Sequence, residues 1–570
     1  MKDLAAEQNE ATEHARVDVA VHSAIGQFTG GLSPSALATS CLDWWMHLAG
    51  SPAKQADLTS LALQNAATMM MDLMTPALRH QNEDITDKRF RDVEWQTYPF
   101  SLYSKWFLMQ QDWWQAATTG LHGVEPEHER IVSFAARQVL DTLSPSNYPT
   151  TNPVVLKRTL EERGANIQRG FENWIEDFNH ILSGAPKPQT DYIVGESIAV
   201  TPGQVIYRNR LIELIRYTPA TEKLHPEPIL IVPAWIMKYY ILDLSPQNSL
   251  IKYLCDQGYE VFAISWKNPD QDDADLGMQD YVDLGVRAAL DQIAPAGSDR
   301  RIHAAGYCLG GTLLSIMAAA MARDGDDRLA TVTLMASQVD FSEAGELSLF
   351  INESQVSFLE DIMKTQGYLS ADQMSGAFQM LRSNDLIWSR LIRHYLLGER
   401  TAMNDLMAWN ADTTRMPAKM HSQYLRSLFL RNALARGQYK VDRKTIALTD
   451  IKTPVFSVAT EKDHVSPWKS VYKISRLTDT ELTFLLTNGG HNGGILSEPG
   501  HPHRHYRLSK LNHGQPHLTP EQWFDQTEPE NGSWWPVWTQ WLDSHSSAAG
   551  IPDARIYPNM AAAPGTYVFG

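Results

Sequence analysis

The stretch that most constrains this chain is Gly306-Tyr307-Cys308-Leu309-Gly310. A short strand-like run, Arg301 to Ala305, leads into it, and a small-residue helical run from Thr312 to Ala322 leads out. A nucleophile carried between a strand and a helix sits on a turn too tight for flanking side chains, so glycines bracket it. Taken alone, G-x-C-x-G fits a buried structural cysteine as well as it fits a nucleophile. What precedes and follows it has to decide.

Beyond Ser183-Gly184-Ala185-Pro186-Lys187-Pro188 the sequence changes from helical to strand-like. Tyr192 to Val200 and Gln204 to Tyr217, around Thr201-Pro202-Gly203, predict opening antiparallel strands. Ile229 to Val232 and Val261 to Ser265 are unbroken apolar runs of the kind buried on both faces of a sheet. The helical Ser249 to Gln257, stopped by Gly258, joins them into a βαβ unit. A helix over Gln279 to Ile293, the elbow strand, and strands at Ala330 to Met335, Val455 to Ala459 and Glu481 to Thr487 continue a parallel sheet.

This alternation, with a nucleophile elbow in it, predicts an α/β-hydrolase fold over residues 189–570. Residues 341–442 interrupt it and are read as a cap, or lid, that excludes water from a site beneath. Residues 1–188 read as a mostly helical N-terminal domain, with long helical stretches such as Asp57 to Met74 and Glu127 to Leu143. The segment Ser144 to Pro153 is too rich in Pro, Ser, Thr and Asn for helix and predicts a series of turns.

In this fold the acid and the histidine follow the nucleophile, on loops after later strands. Asp463 follows Val455 to Ala459, and His491 follows Glu481 to Thr487 among Gly489, Gly490, Gly493 and Gly494. Asp340 also follows a strand but has no comparable turn chemistry around it, and His464 reads as a loop residue. His501, His503 and His505 alternate without a carboxylate or cysteine partner nearby, so a solvated loop is favoured over a metal site. The catalytic set is therefore Cys308, Asp463 and His491, with neither metal nor cofactor.

The roles follow from the residue types. His491 takes the proton of Cys308, because the thiolate is the reactive species. The backbone N–H of Leu309 supplies half of an oxyanion hole, and one after Ile229 to Pro233, at Trp235 or Ile236, supplies the other. Asp463 either orients His491 or acts on an incoming hydroxyl. A thiol that takes an acyl group from a thioester forms another thioester and keeps the group activated. Cys308 thus suits acyl transfer from coenzyme A to an alcohol better than hydrolysis.

Composition limits the setting. A formal net charge of −17 over 570 residues argues against a nucleic-acid partner. Three distant cysteines, Cys41, Cys255 and Cys308, do not make a disulfide framework and suit a reducing cytosol. The start of the chain lacks the apolar core of a signal peptide, and no apolar run is long enough to cross a bilayer, so a cytoplasmic protein is expected. Paired tryptophans, Trp44-Trp45, Trp113-Trp114 and Trp534-Trp535, admit exposed apolar patches but read first as core.

The elbow, the loop Glu461 to Trp468 and the Gly490-His491 loop together resemble those of polyhydroxyalkanoate synthases. The resemblance extends through Val232 to Leu244, Ser265 to Asp270, Leu381 to Trp388, Ser144 to Pro153, Gly532 to Pro536 and Ala563 to Val568, and so spans most of the chain. Ala234 and Met237 depart from the proline and asparagine that many relatives carry. The resemblance implies polymerisation of (R)-3-hydroxyacyl-CoA, short-chain units such as 3-hydroxybutyryl, with coenzyme A as leaving group rather than cofactor. It also implies a Cys308 thioester, a homodimer, and a growing polyester chain at a cytoplasmic granule surface. A cysteine thioesterase or polyester depolymerase, and a non-catalytic granule-surface protein, are the competing readings.

Overall fold

The apolar runs become the middle of one large sheet. The computed structural model describes residues 17–26, 29, 31–74, 86–183, 191–374, 376, 383–400, 402–511, 517–551 and 555–570. Its strands are β1 (Gly203–Arg208), β2 (Ile212–Tyr217), β3 (Ile229–Val232), β4 (Val261–Trp266), β5 (Ile302–Tyr307) and β6 (Leu329–Met335). Two small pairs follow, β7 (Tyr368–Leu369) with β8 (Met416–Pro417), and β9 (Lys440–Val441) with β10 (Lys444–Thr445). The sheet then resumes with β11 (Val455–Thr460), β12 (Leu482–Thr487), β13 (His505–Leu511), β14 (Glu530–Asn531) and β15 (Ala561–Ala562).

The sheet order is β14-β13-β12-β11-β6-β5-β3-β4-β2-β1-β15. From β12 to β4 the neighbours run parallel. Outside them, β13 and β2 run antiparallel. Every residue of β3, β4, β5, β6, β11 and β12 is buried, which is why these strands are mostly apolar on both faces, with a few buried polar residues such as His303 and Ser457. This is the expected α/β-hydrolase fold, with the nucleophile strand β5 near the middle of its sheet.

One element differs from expectation. Residues 192–200 form no extended strand; the opening antiparallel pair is β1 with β2. The segment closes on itself, Gly195 N–H donating to Ile198 O at 2.7 Å and Ile193 N–H to Ser197 Oγ at 2.8 Å, with Gly195 at φ 84°. These bonds close the turn, and Ala199 N–H donates to Asp243 O at 2.9 Å, so the segment adds no strand to the sheet.

Two compact units result. The first contains the described residues of 1–31, 189–374 and 403–570, and holds the sheet. Within it the helix Glu353–Gln366 is capped by the Asn352 side chain and ended by Gly367 at φ 84°. Residues near the start of the chain pack on that helix: His22 Nδ1 lies 2.8 Å from Asp361 Oδ2, and Gln355 Nε2 donates to Gly31 O at 2.6 Å. Later in the same unit come the helices Asp405–Ala411 and Ala418–Tyr424.

The second unit contains the described residues of 32–188 and 375–402 and is helical. Prolines open the helices Pro34–Ala49, Pro126–Thr142 and Pro153–Glu161, where the missing N–H costs nothing. Arg89, nearly buried, bonds Asp87, Asp141 and Gln111, and Ser383 donates to the same Asp141 carboxylate. Residues 145–147 form a short 3₁₀ turn, and Asn152 caps the helix after it.

The tryptophans divide by location. Trp534, Trp535 and Trp538 are fully buried, while Trp45 and Trp106 are more than half exposed. Among the described residues, no helix is long and apolar enough to cross a membrane.

Candidate active site

Cys308 stands alone between the end of β5 and the helix Leu309–Asp324. Its backbone, at φ 52° and ψ −125°, lies where a side chain rarely sits. The surroundings hold it there: its N–H donates to Met335 O at 2.9 Å, and its carbonyl accepts from Ser337 Oγ at 2.7 Å and Gly311 N–H at 3.0 Å. The bracketing glycines are required by close approach. A Cβ on Gly306 would collide with the backbone of Gly311, and one on Gly310 would lie 2.5 Å from Pro233 O.

That second contact brings the start of the Leu309–Asp324 helix against the segment leading to Trp235 and Ile236. Leu309 is the first helical residue, so its N–H lacks an intrahelical partner and lies at the positive end of the helix dipole. The facing segment is fixed by Trp266 Nε1 donating to Pro233 O at 2.9 Å and by Thr414 Oγ1 donating to Trp235 O at 3.1 Å. The buried Trp235 ring packs on Tyr281 and, edge-on, on Tyr424 of the Ala418–Tyr424 helix.

Asp463 and His491 lie on loops after β11 and β12, neighbours in the sheet. His491 Nδ1 is 2.8 Å from Asp463 Oδ2, and an ionised carboxylate only accepts, so Nδ1 carries the hydrogen. Thr460 Oγ1 donates to the same oxygen at 2.9 Å. The N–H groups of Val465 and Ser466 both donate to Oδ1 at 2.8 Å. With Nδ1 committed, Nε2 is the nitrogen left to serve Cys308.

Charge balances across this set. Burial alone would push the Asp463 carboxyl up, but the charge of His491 and the hydrogen bonds from His491, Ser466 and Thr460 hold it below the ordinary range. Burial would likewise push His491 down. The charge of Asp463 and its hydrogen bond, with the charge of Cys308, outweigh it and hold His491 well above the ordinary value. Burial and the Cys308 charge together push the Tyr424 phenol up.

The other sequence candidates lie outside this set. Asp340 accepts from Ser342 N–H at 2.9 Å and faces Lys473 at 3.7 Å. The His464 carbonyl accepts from Glu346 N–H. His505 opens β13 and lies 3.4 Å from Glu461, His503 takes a positive φ, and His501 Nδ1 meets Pro502 O. Sequence reasoning passed over Thr460, Tyr424, Tyr307 and Asn492. Thr460, as the last residue of the strand before Asp463, was the one with a local signal.

The chain matches a family model described as "Poly-beta-hydroxybutyrate polymerase (PhaC) N-terminus" over residues 86–254. Another, "alpha/beta hydrolase fold", matches 227–497, and "Poly-beta-hydroxybutyrate polymerase N terminal" matches 12–54. It is 41% identical over 490 residues to a protein of Methylorubrum extorquens named poly(3-hydroxyalkanoate) polymerase, covering 85% of this chain and 80% of that one. It is 38% identical to the poly(3-hydroxyalkanoate) polymerase subunit PhaC of Rhizobium etli, covering 85% and 76%. To the protein of the same name from Cupriavidus necator it is 31% identical, covering 91% and 89%.

Proposed function

Since the chain belongs to the poly(3-hydroxyalkanoate) polymerase family of acyltransferases, we propose that it builds polyester from short-chain (R)-3-hydroxyacyl-CoA through a thioester on Cys308. The observation that carries the mechanism is the bond from His491 Nδ1 to the buried Asp463 carboxylate, which leaves Nε2 for Cys308 on its elbow.

In the first half-reaction the Cys308 sulfur attacks the carbonyl carbon of the substrate thioester, its proton residing on His491 Nε2. The negative oxygen of the tetrahedral species meets the N–H of Leu309 and one from the Trp235–Ile236 turn. Collapse breaks the bond to coenzyme A, whose sulfur leaves with the proton from His491, and the acyl group stays on Cys308. In the second half-reaction the 3-hydroxyl of another unit attacks that thioester, His491 takes the hydroxyl proton, and an ester bond forms as the thiolate is released.

The surroundings of Asp463 favour orientation of His491 over direct action on the hydroxyl. Its side chain has no exposed surface, and both oxygens already accept hydrogen bonds. A general base must reach the proton it removes. Of this pair it is His491, with part of its side chain exposed, that can do so.

The same reading takes the protein to act as a homodimer at the surface of a cytoplasmic polyester granule, with coenzyme A as leaving group and no separate cofactor. Incubation of the purified chain with (R)-3-hydroxybutyryl-CoA tests it: release of coenzyme A with insoluble polyester is expected. Recovery of free hydroxy acid alone makes it a thioesterase, and normal coenzyme A release by Cys308→Ala removes the nucleophile.

A further inference from the structure

We infer that Tyr307 and Asn492 form a positioning pair that sets the alignment of His491 with Cys308, an inference that rests on those two residues being base and nucleophile. Tyr307 immediately precedes Cys308, and Asn492 immediately follows His491. The Tyr307 hydroxyl donates to Asn492 Oδ1 at 2.6 Å, so one short bond ties the neighbours of the two reacting residues together across 185 positions of sequence.

The geometry gives this bond something to do. The Asp463 hydrogen bond holds one edge of the His491 ring at Nδ1 but leaves the ring free to swing about that contact. The loop backbone is itself tied, Lys462 N–H donating to Gly489 O and Gly494 N–H to Gly490 O, both at 2.8 Å, so the orientation of the ring is left to side-chain contacts. Tyr307 limits the swing twice. Its ring lies 5.6 Å from the imidazole at an angle of 38°, backing it, and its hydroxyl anchors the next residue.

Tyr307 can act as an anchor because it is itself fixed: it is the last residue of β5, in the middle of the sheet, and its side chain is buried. The Asn492 amide also donates to Asn410 Oδ1 at 3.4 Å, on the helix Asp405–Ala411. Asn492 is thus held from the sheet on one side and from the inserted region on the other. Because proton transfer depends steeply on donor–acceptor distance, a misplacement of about 1 Å at His491 is enough to slow both half-reactions.

Phenylalanine at 307 keeps the ring and deletes only the hydroxyl, so it separates alignment from packing. Tyr307→Phe, Asn492→Leu and the double variant, made in the full chain, are to be compared by coenzyme A release and by the pH profile of iodoacetamide labelling at Cys308. Each single change is expected to lower kcat about tenfold with little change in KM, and to move the labelling profile. The double variant is expected to be no worse than either single one, the signature of one shared interaction. Unchanged kcat and labelling profile in Tyr307→Phe, or multiplicative losses in the double variant, overturn the inference. Cys308→Ala keeps the two failures apart: if it still releases coenzyme A the site assignment itself fails, whereas an inactive Cys308→Ala beside an unaffected Tyr307→Phe removes the positioning pair alone.

Discussion

His491 Nδ1 meets Asp463 Oδ2 at 2.8 Å, and the second oxygen of that carboxylate is occupied by two backbone N–H groups. Asp463→Asn keeps the size of the group but replaces one acceptor with an amide donor. Either the amide faces Nδ1 and forces the wrong tautomer, or it faces the N–H groups of Val465 and Ser466. Loading of Cys308 and chain growth should therefore fall together, by roughly 10²–10⁴-fold. Rapid-quench measurement of the first turnover checks this, and normal loading with failed growth would place Asp463 on the hydroxyl instead.

Cys308→Ser should fold normally, since the backbone conformation and the glycine contacts that hold it do not depend on sulfur. Turnover should drop by roughly 10²-fold or more, because His491 ionises a hydroxyl much less readily than a thiol. Thermal melting alongside a coenzyme A assay separates the two effects.

Gly310→Ala should damage the oxyanion segment without touching any of the three side chains. The new Cβ would lie 2.5 Å from Pro233 O and 2.6 Å from Pro233 C, backbone atoms that cannot step aside alone. About 1–3 kcal/mol of lost stability is expected from overpacking. A fall in kcat of at least about tenfold should accompany it as the Trp235–Ile236 turn shifts. Denaturant melts and steady-state kinetics report these separately.

Acid should destabilise the sheet unit through two buried histidines outside the catalytic set. Burial pushes His303 down to about 4, and burial alone pushes His421 down to about 4. Below the ordinary value near 6.5 the unfolded chain takes up protons that the folded one refuses. Stability is therefore full above about 6.5 and is lost as pH falls toward 4, by roughly 3 kcal/mol for each group. His491 acts in the opposite sense: its raised value stabilises the fold below about 6.5, and that contribution is lost as pH rises through the raised value. Urea melts across the acid range should show the first effect, and His303→Asn should remove about half of it.

What the sequence made legible was local. The buried strands announce themselves as apolar runs, and the order Cys308, Asp463, His491 follows from where those runs end. The strand expected at 192–200 failed because a serine hydroxyl and a glycine at positive φ close a turn that composition does not distinguish from an extended edge. The remaining features depend on contacts between distant parts of the chain. Ser383 completes the Asp141–Arg89 cluster and Asn166 bonds Leu396 O, in each case across more than 200 residues. Tyr307 and Asn492 have the same character: each sits beside a recognisable motif residue, yet nothing in either motif tells that they meet.

In the proposed cycle an acyl group rests on Cys308 between transfers. The direct measurement is mass analysis of the Cys308 peptide after mixing the chain with (R)-3-hydroxybutyryl-CoA and quenching in acid within the first turnover. A hydroxybutyryl adduct on Cys308, lost on treatment with hydroxylamine and absent in Cys308→Ala, is predicted. An unmodified Cys308 peptide at a time when coenzyme A has already been released would contradict it.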